Sequence, residues 1–134
     1  APRLPLEGCS VLVLEDQMAM ALDLERLLVE HGAASVGTVG TAAAALDLLA
    51  RDPPDVAILD IDLGDSTSIE VADELARLGI PFVLAGTEAD AALVPSAHRE
   101  IPIASKPYVG EAVAGLLKEV LLPHLIREVL TKLV

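Results

Sequence analysis

The segment Val56–Asp65, VAILDIDLGD, decides the fold. An aliphatic run leads directly into Asp60, and Asp62 and Asp65 follow closely. Such a run is typical of a strand buried on both faces of a parallel sheet. Charges are costly to bury without partners, so we expect these acids at the strand end, where partners or a cation can balance them. Asp65 is interpreted as a solvated loop residue.

Further aliphatic runs alternate along the chain with segments whose apolar residues follow helical spacing. The predicted strands lie within residues 10–16, 34–39, 55–62, 80–86 and 99–107. The predicted helices lie within residues 17–31, 42–52, 67–78 and 109–122, and Pro95 limits any helix between 88 and 98. This alternation predicts an α/β fold, a flavodoxin-like (βα)5 doubly wound five-stranded parallel sheet in the order 2-1-3-4-5.

Individual residues predict where the helices begin and end. Gly32 and Gly79 are expected to follow helix C-termini, where a left-handed residue is favoured. Thr41 is expected to cap the second helix, and Thr67 with Glu70 resembles a capping box for the third.

The C-terminal segment extends beyond what five βα repeats require. We predict a domain over residues 9–120 and a C-terminal helical extension over 121–134, with Pro123 breaking or kinking the helix. The extension has an apolar stripe, formed by Leu125, Ile126, Val129, Leu130 and Leu133. This stripe either packs back on the domain or docks a partner, with a homodimer through this helix as one possibility.

The composition restricts the class of protein. The 134 residues fit one domain, and the net charge of −12, from 21 acidic and 9 basic residues, disfavours direct binding of nucleic acid. The single cysteine excludes an internal disulfide. No apolar stretch is long enough to span a membrane, and no signal-peptide core is visible, so we expect a cytoplasmic protein.

Acidic residues end two of the predicted strands. Glu15 and Asp16 follow the first strand, and Asp60 and Asp62 follow the third. In the strand order 2-1-3-4-5 these two strands are neighbours, so Glu15, Asp16 and Asp60 are expected to converge. Carboxylates this close repel one another, and a divalent cation such as Mg²⁺ removes the conflict. Single acids at strand ends are usually just solvated, but two such ends together favour a metal site.

Two other strands contribute polar residues to the same edge. Lys106 ends the fifth strand, where its ammonium can pair with Asp60 or with a phosphoryl group on it. The bond from Lys106 to Pro107 is a candidate for the cis form. Thr87, at the end of the fourth strand, offers a hydroxyl.

With these residues assembled, the chain resembles the receiver domains of bacterial two-component response regulators. VLVLED resembles their first strand with its acidic pair, VAILDIDL the strand with the phosphorylated aspartate, and SKPY the Lys-Pro-aromatic turn. The matches occur in order over about residues 9–120, which is then the receiver domain. Several segments look particularly like alphaproteobacterial single-domain receivers.

The resemblance implies a role for each matched residue. Asp60 would be the phosphoacceptor. Mg²⁺ would be held by Glu15, Asp16, Asp60 and the backbone carbonyl of Asp62. Lys106 would contact the acyl phosphate, and such a domain catalyses no reaction beyond its own phosphorylation and dephosphorylation.

The chain departs from the family pattern after the fourth strand. Receivers usually place Ser or Thr where this chain has Gly86, and Thr87 comes one position later. Successive strand residues face opposite sides, so Thr87 can substitute only if the backbone bends. Ile103 occupies the position of an aromatic residue that often moves during switching, and Gly64 replaces a common proline.

The remaining titratable residues are expected to lie outside the catalytic group or at its edge. Asp62 and Glu88 are expected to flank the entrance of the site, and we hypothesise that they affect the lifetime of the acyl phosphate. His31, His98 and His124 match no metal-binding spacing and are interpreted as solvated or helix-end residues.

Three alternatives remain open at the level of sequence. Asp60 and Asp62 have the Asp-x-Asp form of haloacid-dehalogenase-type phosphatases, although Gly64 stands where that family has Thr or Val. Glu15 with the same two acids superficially fits a Toprim-type nucleic-acid enzyme, against which the net charge argues. The inverted pair Gly86–Thr87 would suit a receiver that only docks and is never phosphorylated.

The expected partners follow from the resemblance. A histidine kinase or a phosphotransfer protein would donate the phosphoryl group, and a downstream protein target would receive the signal. No direct contact with nucleic acid or membrane is expected. No effector domain follows the receiver in this sequence, so the chain is either a single-domain regulator or part of a longer protein.

Overall fold

The structure, a computed structural model, describes residues 4–64 and 66–133, so Asp65 lies outside the described residues. The five strands are β1 (Ser10–Leu14), β2 (Ser35–Val39), β3 (Val56–Asp60), β4 (Phe82–Gly86) and β5 (Ile103–Ser105). The five helices are α1 (Met18–Glu30), α2 (Ala42–Arg51), α3 (Ile69–Leu78), α4 (Glu88–Ala91) and α5 (Gly110–Leu133). A 3₁₀ turn, Ser96–His98, lies between α4 and β5.

The sheet confirms the predicted fold. All neighbouring strands pair in parallel, and their order is β2-β1-β3-β4-β5. The central strand β3 is buried along its whole length, as its aliphatic sequence predicts. Because Leu14 pairs with Leu59, the residues that follow β1 come beside the end of β3.

Alternate residues of the strands bury into two separate cores, one on each face of the sheet. Ile58 belongs to the core that includes residues of α1 and α5, and Leu59 belongs to the core under α2 and α3. Each fully buried aliphatic side chain contributes about 1.5–3 kcal/mol. The two cores therefore fix the position of the strand end that carries Asp60.

The helix N-termini follow the prediction in one case and not in another. The side chain of Thr41 caps α2, as predicted. The capping box of Thr67 and Glu70 was a wrong prediction, because Ser68 is the N-cap of α3 and makes no side-chain cap hydrogen bond. Thr67 instead forms an isolated antiparallel bridge with Asp62, which holds it in the loop after β3.

Helix α5 is longer than the sequence predicts. It was expected to end near Leu122, but it continues through Pro123 to Leu133. Proline removes one backbone donor, and the residues beyond it are mostly good helix formers, so the helix resumes its hydrogen bonding. The domain boundary at residue 120 therefore falls within a continuous helix, and it stays a prediction.

The exposed face of α5 bears on the two interpretations of the C-terminal stripe. Four of its residues are more than half exposed, namely Ile126, Val129, Leu130 and Leu133. The side chain of Leu125 lies outside the described ones. The four described side chains therefore do not pack back on the domain. Within the described part of the chain, no helix combines the length and apolar character needed to cross a membrane.

His98 corrects another expectation. It was interpreted as solvated or at a helix end, and it does end the 3₁₀ turn, but it is only 6% exposed. Its Nε2 lies 2.7 Å from Asp73 Oδ1, and its ring meets Phe82 edge-on. The histidine thus fastens the segment before β5 to α3 and β4. His31, by contrast, ends α1 as expected, while the side chain of His124 lies outside the described ones.

Candidate functional site

The ends of β1 and β3 bring three carboxylates together. Glu15, Asp16 and Asp60 each offer one oxygen, and these oxygens all lie within 4.8 Å of one another. Glu15 and Asp60 are each only 3% exposed, whereas Asp16 is exposed. The fold therefore produces the convergence that the strand order predicts.

Lys106 balances part of this negative charge. It follows β5, and its Nζ lies 2.8 Å from Asp60 Oδ2 and 3.2 Å from Glu15 Oε1. Its backbone N–H donates to the carbonyl oxygen of Gly86 at 3.4 Å, which holds it beside the end of β4. The Lys106–Pro107 peptide bond is cis. One ammonium group thus pairs with two buried carboxylates, so the cluster of Glu15, Asp60 and Lys106 keeps a net negative charge when both acids are ionised.

Glu15 has two further hydrogen-bond donors that the sequence motifs do not indicate. The hydroxyl of Tyr108 donates to Glu15 Oε1 at 3.4 Å, and the backbone N–H of Gln17 donates to Oε2 at 3.3 Å. Nζ of Lys106 also lies 5.9 Å from the centre of the Tyr108 ring. The SKPY segment places the aromatic residue Tyr108 two positions after Lys106, and this spacing could have indicated that Tyr108 lies near the site. Its contact with Glu15 depends on the path of the chain after Pro107.

Burial and hydrogen bonding shift the pKa values of these side chains. Burial, together with the neighbouring Glu15, raises the pKa of Asp60 to about 7. Burial alone would raise the pKa of Glu15, but its hydrogen bonds with Asp60, Gln17 and Lys106 hold it below the usual value. Burial would lower the pKa of Lys106, but the bond to Asp60 and the two negative charges raise it. Burial, then Glu15, also raises the pKa of Tyr108, so its hydroxyl stays a donor. Asp60 is therefore the group that holds a proton when no further cation is present.

The second oxygen of Asp60 is available for a ligand. Oδ2 accepts the hydrogen bond from Lys106, whereas Oδ1 is buried and receives none from the described residues. When Asp60 is protonated, its carboxyl group can form one further hydrogen bond, to Glu15. An unpartnered buried carboxylate oxygen beside two more carboxylates suits a hard divalent cation. The residues present therefore fit Mg²⁺.

An open pocket of about 430 Å³ gives access to this group. Its lining residues are Asp16, Gln17, Met20, Asp60, Asp62, Gly64, Thr87, Asp90 and Lys106. Asp62 accepts the backbone N–H of Gly64 at 2.8 Å through Oδ1. Glu88 is exposed and is not among the lining residues, whereas Asp90, which no sequence motif indicates, is one of them.

The segment after β4 has an unusual arrangement. Gly86 is the last residue of β4, and Thr87 caps the short helix α4. The Thr87 hydroxyl accepts the N–H of Asp90 at 3.3 Å, and Asp90 Oδ2 accepts the N–H of Thr87 at 2.9 Å. Thr87 thus reaches the pocket, but its hydroxyl is engaged with Asp90.

Comparison with known proteins agrees with this geometry. The transcriptional regulatory protein PdtaR of Mycobacterium tuberculosis is 33% identical over 75 residues, which are 55% of this chain and 37% of PdtaR. This chain spans less than half the length of the curated relatives that it matches.

Two solved structures match a larger share of this chain. The solution structure of SdrG from Sphingomonas melonis Fr1 matches with a TM-score of 0.71 and 34% identity, covering 88% of this chain and 98% of that chain. The anti-anti-sigma factor PhyR from Bartonella quintana matches with a TM-score of 0.74 and 26% identity, covering 92% of this chain and 50% of that chain. The family model described as the response regulator receiver domain matches residues 11–129. The chain belongs to the response regulator receiver domain family.

Proposed function

We propose that this receiver domain is phosphorylated on Asp60, and that Mg²⁺ is needed for the transfer. The observation that carries the proposal is the Asp60 carboxylate itself. Its Oδ2 is held by Lys106, and among the described residues its Oδ1 has no hydrogen-bond partner, although Glu15 and Asp16 lie beside it. A carboxylate fixed in this way can hold a cation through one oxygen and act as a nucleophile through the other.

The transfer forms one bond and breaks one bond. The Asp60 carboxylate oxygen that does not hold the cation attacks the phosphorus atom of the donor, and the bond from phosphorus to the donor nitrogen or oxygen breaks. The leaving group takes the electron pair of that bond, and Asp60 becomes an acyl phosphate. Asp60 has to be ionised to attack, so its proton must leave before the transfer. Lys106 already lies on the same carboxylate and is placed to hold a phosphoryl oxygen.

The residues for the cation follow from their free oxygens. Asp16 is exposed toward the pocket, and Asp60 Oδ1 has no partner within the described part of the chain, so these two residues are the direct carboxylate ligands in our proposal. Glu15 already accepts three hydrogen bonds, and it would act mainly by orienting Lys106. The backbone carbonyl of Asp62 remains the predicted third ligand. A bound Mg²⁺ supplies positive charge that is shared by the phosphoryl oxygens.

The biological role follows as part of the same proposal. A histidine kinase or a phosphotransfer protein donates the phosphoryl group, and phosphorylation changes contacts with a downstream protein in the cytoplasm. The exposed apolar face of α5 is a candidate surface for such a contact, or for a homodimer. SdrG, a relative of similar length, has a solution structure in a BeF3-activated conformation, which supports the proposal.

Phosphorylation from a small-molecule donor tests this function. With Mg²⁺ and acetyl phosphate, the intact protein should gain the mass of one phosphoryl group. The gain should be absent after Asp60→Asn or in EDTA, and it should persist in the control Asp62→Asn, whose side chain is no proposed ligand. No gain in the wild type would contradict the proposal and favour a docking receiver. Steady turnover of phosphomonoesters would favour the phosphatase.

Tyr108 provides a direct measurement of cation binding. It is the only tyrosine in a chain without tryptophan, and its hydroxyl contacts Glu15. Added Mg²⁺ should therefore change the tyrosine fluorescence in a saturable manner. Asp16→Asn should weaken binding about tenfold or more, because it removes a charged ligand. Asp23→Asn, an exposed carboxylate on α1, is the matched control, and equal affinities for the two variants would contradict the assigned ligands.

A further inference from the structure

Gly86 and Asp90 are in close contact beside the pocket. A Cβ atom added at Gly86 would lie 2.8 Å from Asp90 Cβ and 2.8 Å from Asp90 Oδ2. Both distances are too short for real Cβ contacts, and Asp90 Cβ cannot move without its backbone. With Asp90 in this position, only glycine fits at residue 86.

The same Asp90 side chain fixes Thr87. Its Oδ2 accepts the Thr87 N–H at 2.9 Å, and the Thr87 hydroxyl accepts the Asp90 N–H at 3.3 Å. These two hydrogen bonds form a capping box around the single turn of α4. Asp90 therefore controls both what can stand at position 86 and where the Thr87 hydroxyl is held.

Asp90 also contributes charge to the pocket. It is half-buried and lines the pocket together with Asp60, Lys106 and Thr87. A phosphoryl group on Asp60 would bring additional negative charge into this pocket. Like charges at short distance repel, and partial burial reduces the screening of that repulsion.

We propose that Asp90 is a positioning residue that holds Thr87 in the unphosphorylated state and is displaced when Asp60 is phosphorylated. Repulsion between the phosphoryl group and Asp90 opens the capping box. The freed Thr87 hydroxyl then donates a hydrogen bond to a phosphoryl oxygen. The glycine at position 86, the threonine at position 87 and Asp90 therefore act together, because Asp90 contacts both of the other residues. This inference rests on the proposed phosphorylation of Asp60.

Beryllofluoride with Mg²⁺ is the probe, and Tyr108 fluorescence reports its binding. Asp90→Asn removes the charge but keeps an oxygen for the Thr87 N–H, and it should tighten binding about three- to tenfold. Glu100→Gln removes one exposed charge elsewhere between β4 and β5, and it should leave the affinity unchanged. A merely structural role for Asp90 would leave the affinity of Asp90→Asn equal to that of the wild type.

A double-mutant cycle tests the coupling. Gly86→Ser alone should weaken binding, because its side chain collides with Asp90, whereas Gly86→Ser combined with Asp90→Ala should bind at least as tightly as Asp90→Ala. The two substitutions should therefore deviate from additivity by about fivefold or more. The amide signal of Thr87 in NMR spectra should also shift when beryllofluoride binds.

The outcomes separate this inference from the proposed function. If the wild type neither binds beryllofluoride nor gains mass from acetyl phosphate, the proposed function fails. If the wild type does both, but Asp90→Asn matches it and the cycle is additive, only the role of Asp90 is overturned.

Discussion

Replacing Lys106 with methionine should slow phosphorylation of Asp60 by about 10- to 100-fold. Methionine keeps a similar length and loses the charge, so the Asp60 carboxylate and the incoming phosphoryl group lose their cationic partner. Charge-assisted hydrogen bonds of this kind contribute about 1.5–3 kcal/mol. The first-order rate with acetyl phosphate and Mg²⁺, followed by intact mass, measures the effect.

Two further variants show whether the effect of Lys106→Met comes from the lost charge at this position. Lys106→Arg keeps the positive charge with a different shape, so its rate should fall between those of the wild type and the methionine variant. Lys118→Met removes an exposed lysine on α5 and should leave the rate unchanged. A methionine variant at Lys106 that is phosphorylated within about twofold of the wild-type rate would show that the 2.8 Å contact has no part in the transfer.

Asp60→Asn should stabilise the metal-free protein at alkaline pH. The pKa of Asp60 is raised from 3.8 to about 7 by burial and by Glu15, so the native state keeps a proton that the unfolded state releases. The stabilisation from this proton is complete below about pH 4 and is lost as the pH rises through about 7. Asparagine mimics the protonated acid at every pH and leaves the Lys106–Glu15 pair in place.

The size of this effect depends on pH. In EDTA, the excess of the free energy of unfolding of Asp60→Asn over that of the wild type should be about 2 kcal/mol larger at about pH 8 than at about pH 5.5. At about pH 5.5 part of the difference should remain, because the unfolded wild type has already released this proton while the native wild type still holds it. The pKa of Glu15 is lowered, so its ionisation changes the free energy of unfolding only in solution more acidic than about pH 5.5. Urea unfolding followed by circular dichroism gives both values, and a pH-independent difference would contradict the ordering of ionisation.

The fold could be predicted because the sequence is locally consistent. The buried strand Val56–Asp60 has no polar residue before Asp60, and short aliphatic runs alternate with helical segments along the chain. Once the strand order is known, the convergence of Glu15, Asp16 and Asp60 follows from geometry alone. The same reasoning places Lys106 at this edge, because it follows a parallel strand.

The missed features depend on how the chain turns after a strand or helix. The contact between Asp90 and Gly86 requires that α4 begin immediately after β4, and spacing does not reveal this. The cap at Ser68 depends on the bridge between Thr67 and Asp62, which is a tertiary contact. The burial of His98 likewise arises from packing against α3 and β4, not from its own segment. Local propensity does not determine such contacts.

The central claim is that Asp60 is the residue that carries the phosphoryl group, and its chemistry allows a direct measurement. Borohydride reduces an acyl phosphate to an alcohol, which converts a phosphorylated aspartate to homoserine. The protein should be phosphorylated with acetyl phosphate and Mg²⁺, reduced, digested and sequenced by tandem mass spectrometry. The account predicts homoserine at position 60, with aspartate retained at positions 16 and 62. Homoserine at any other aspartate, or at none in a protein that has gained the phosphoryl mass, would contradict it.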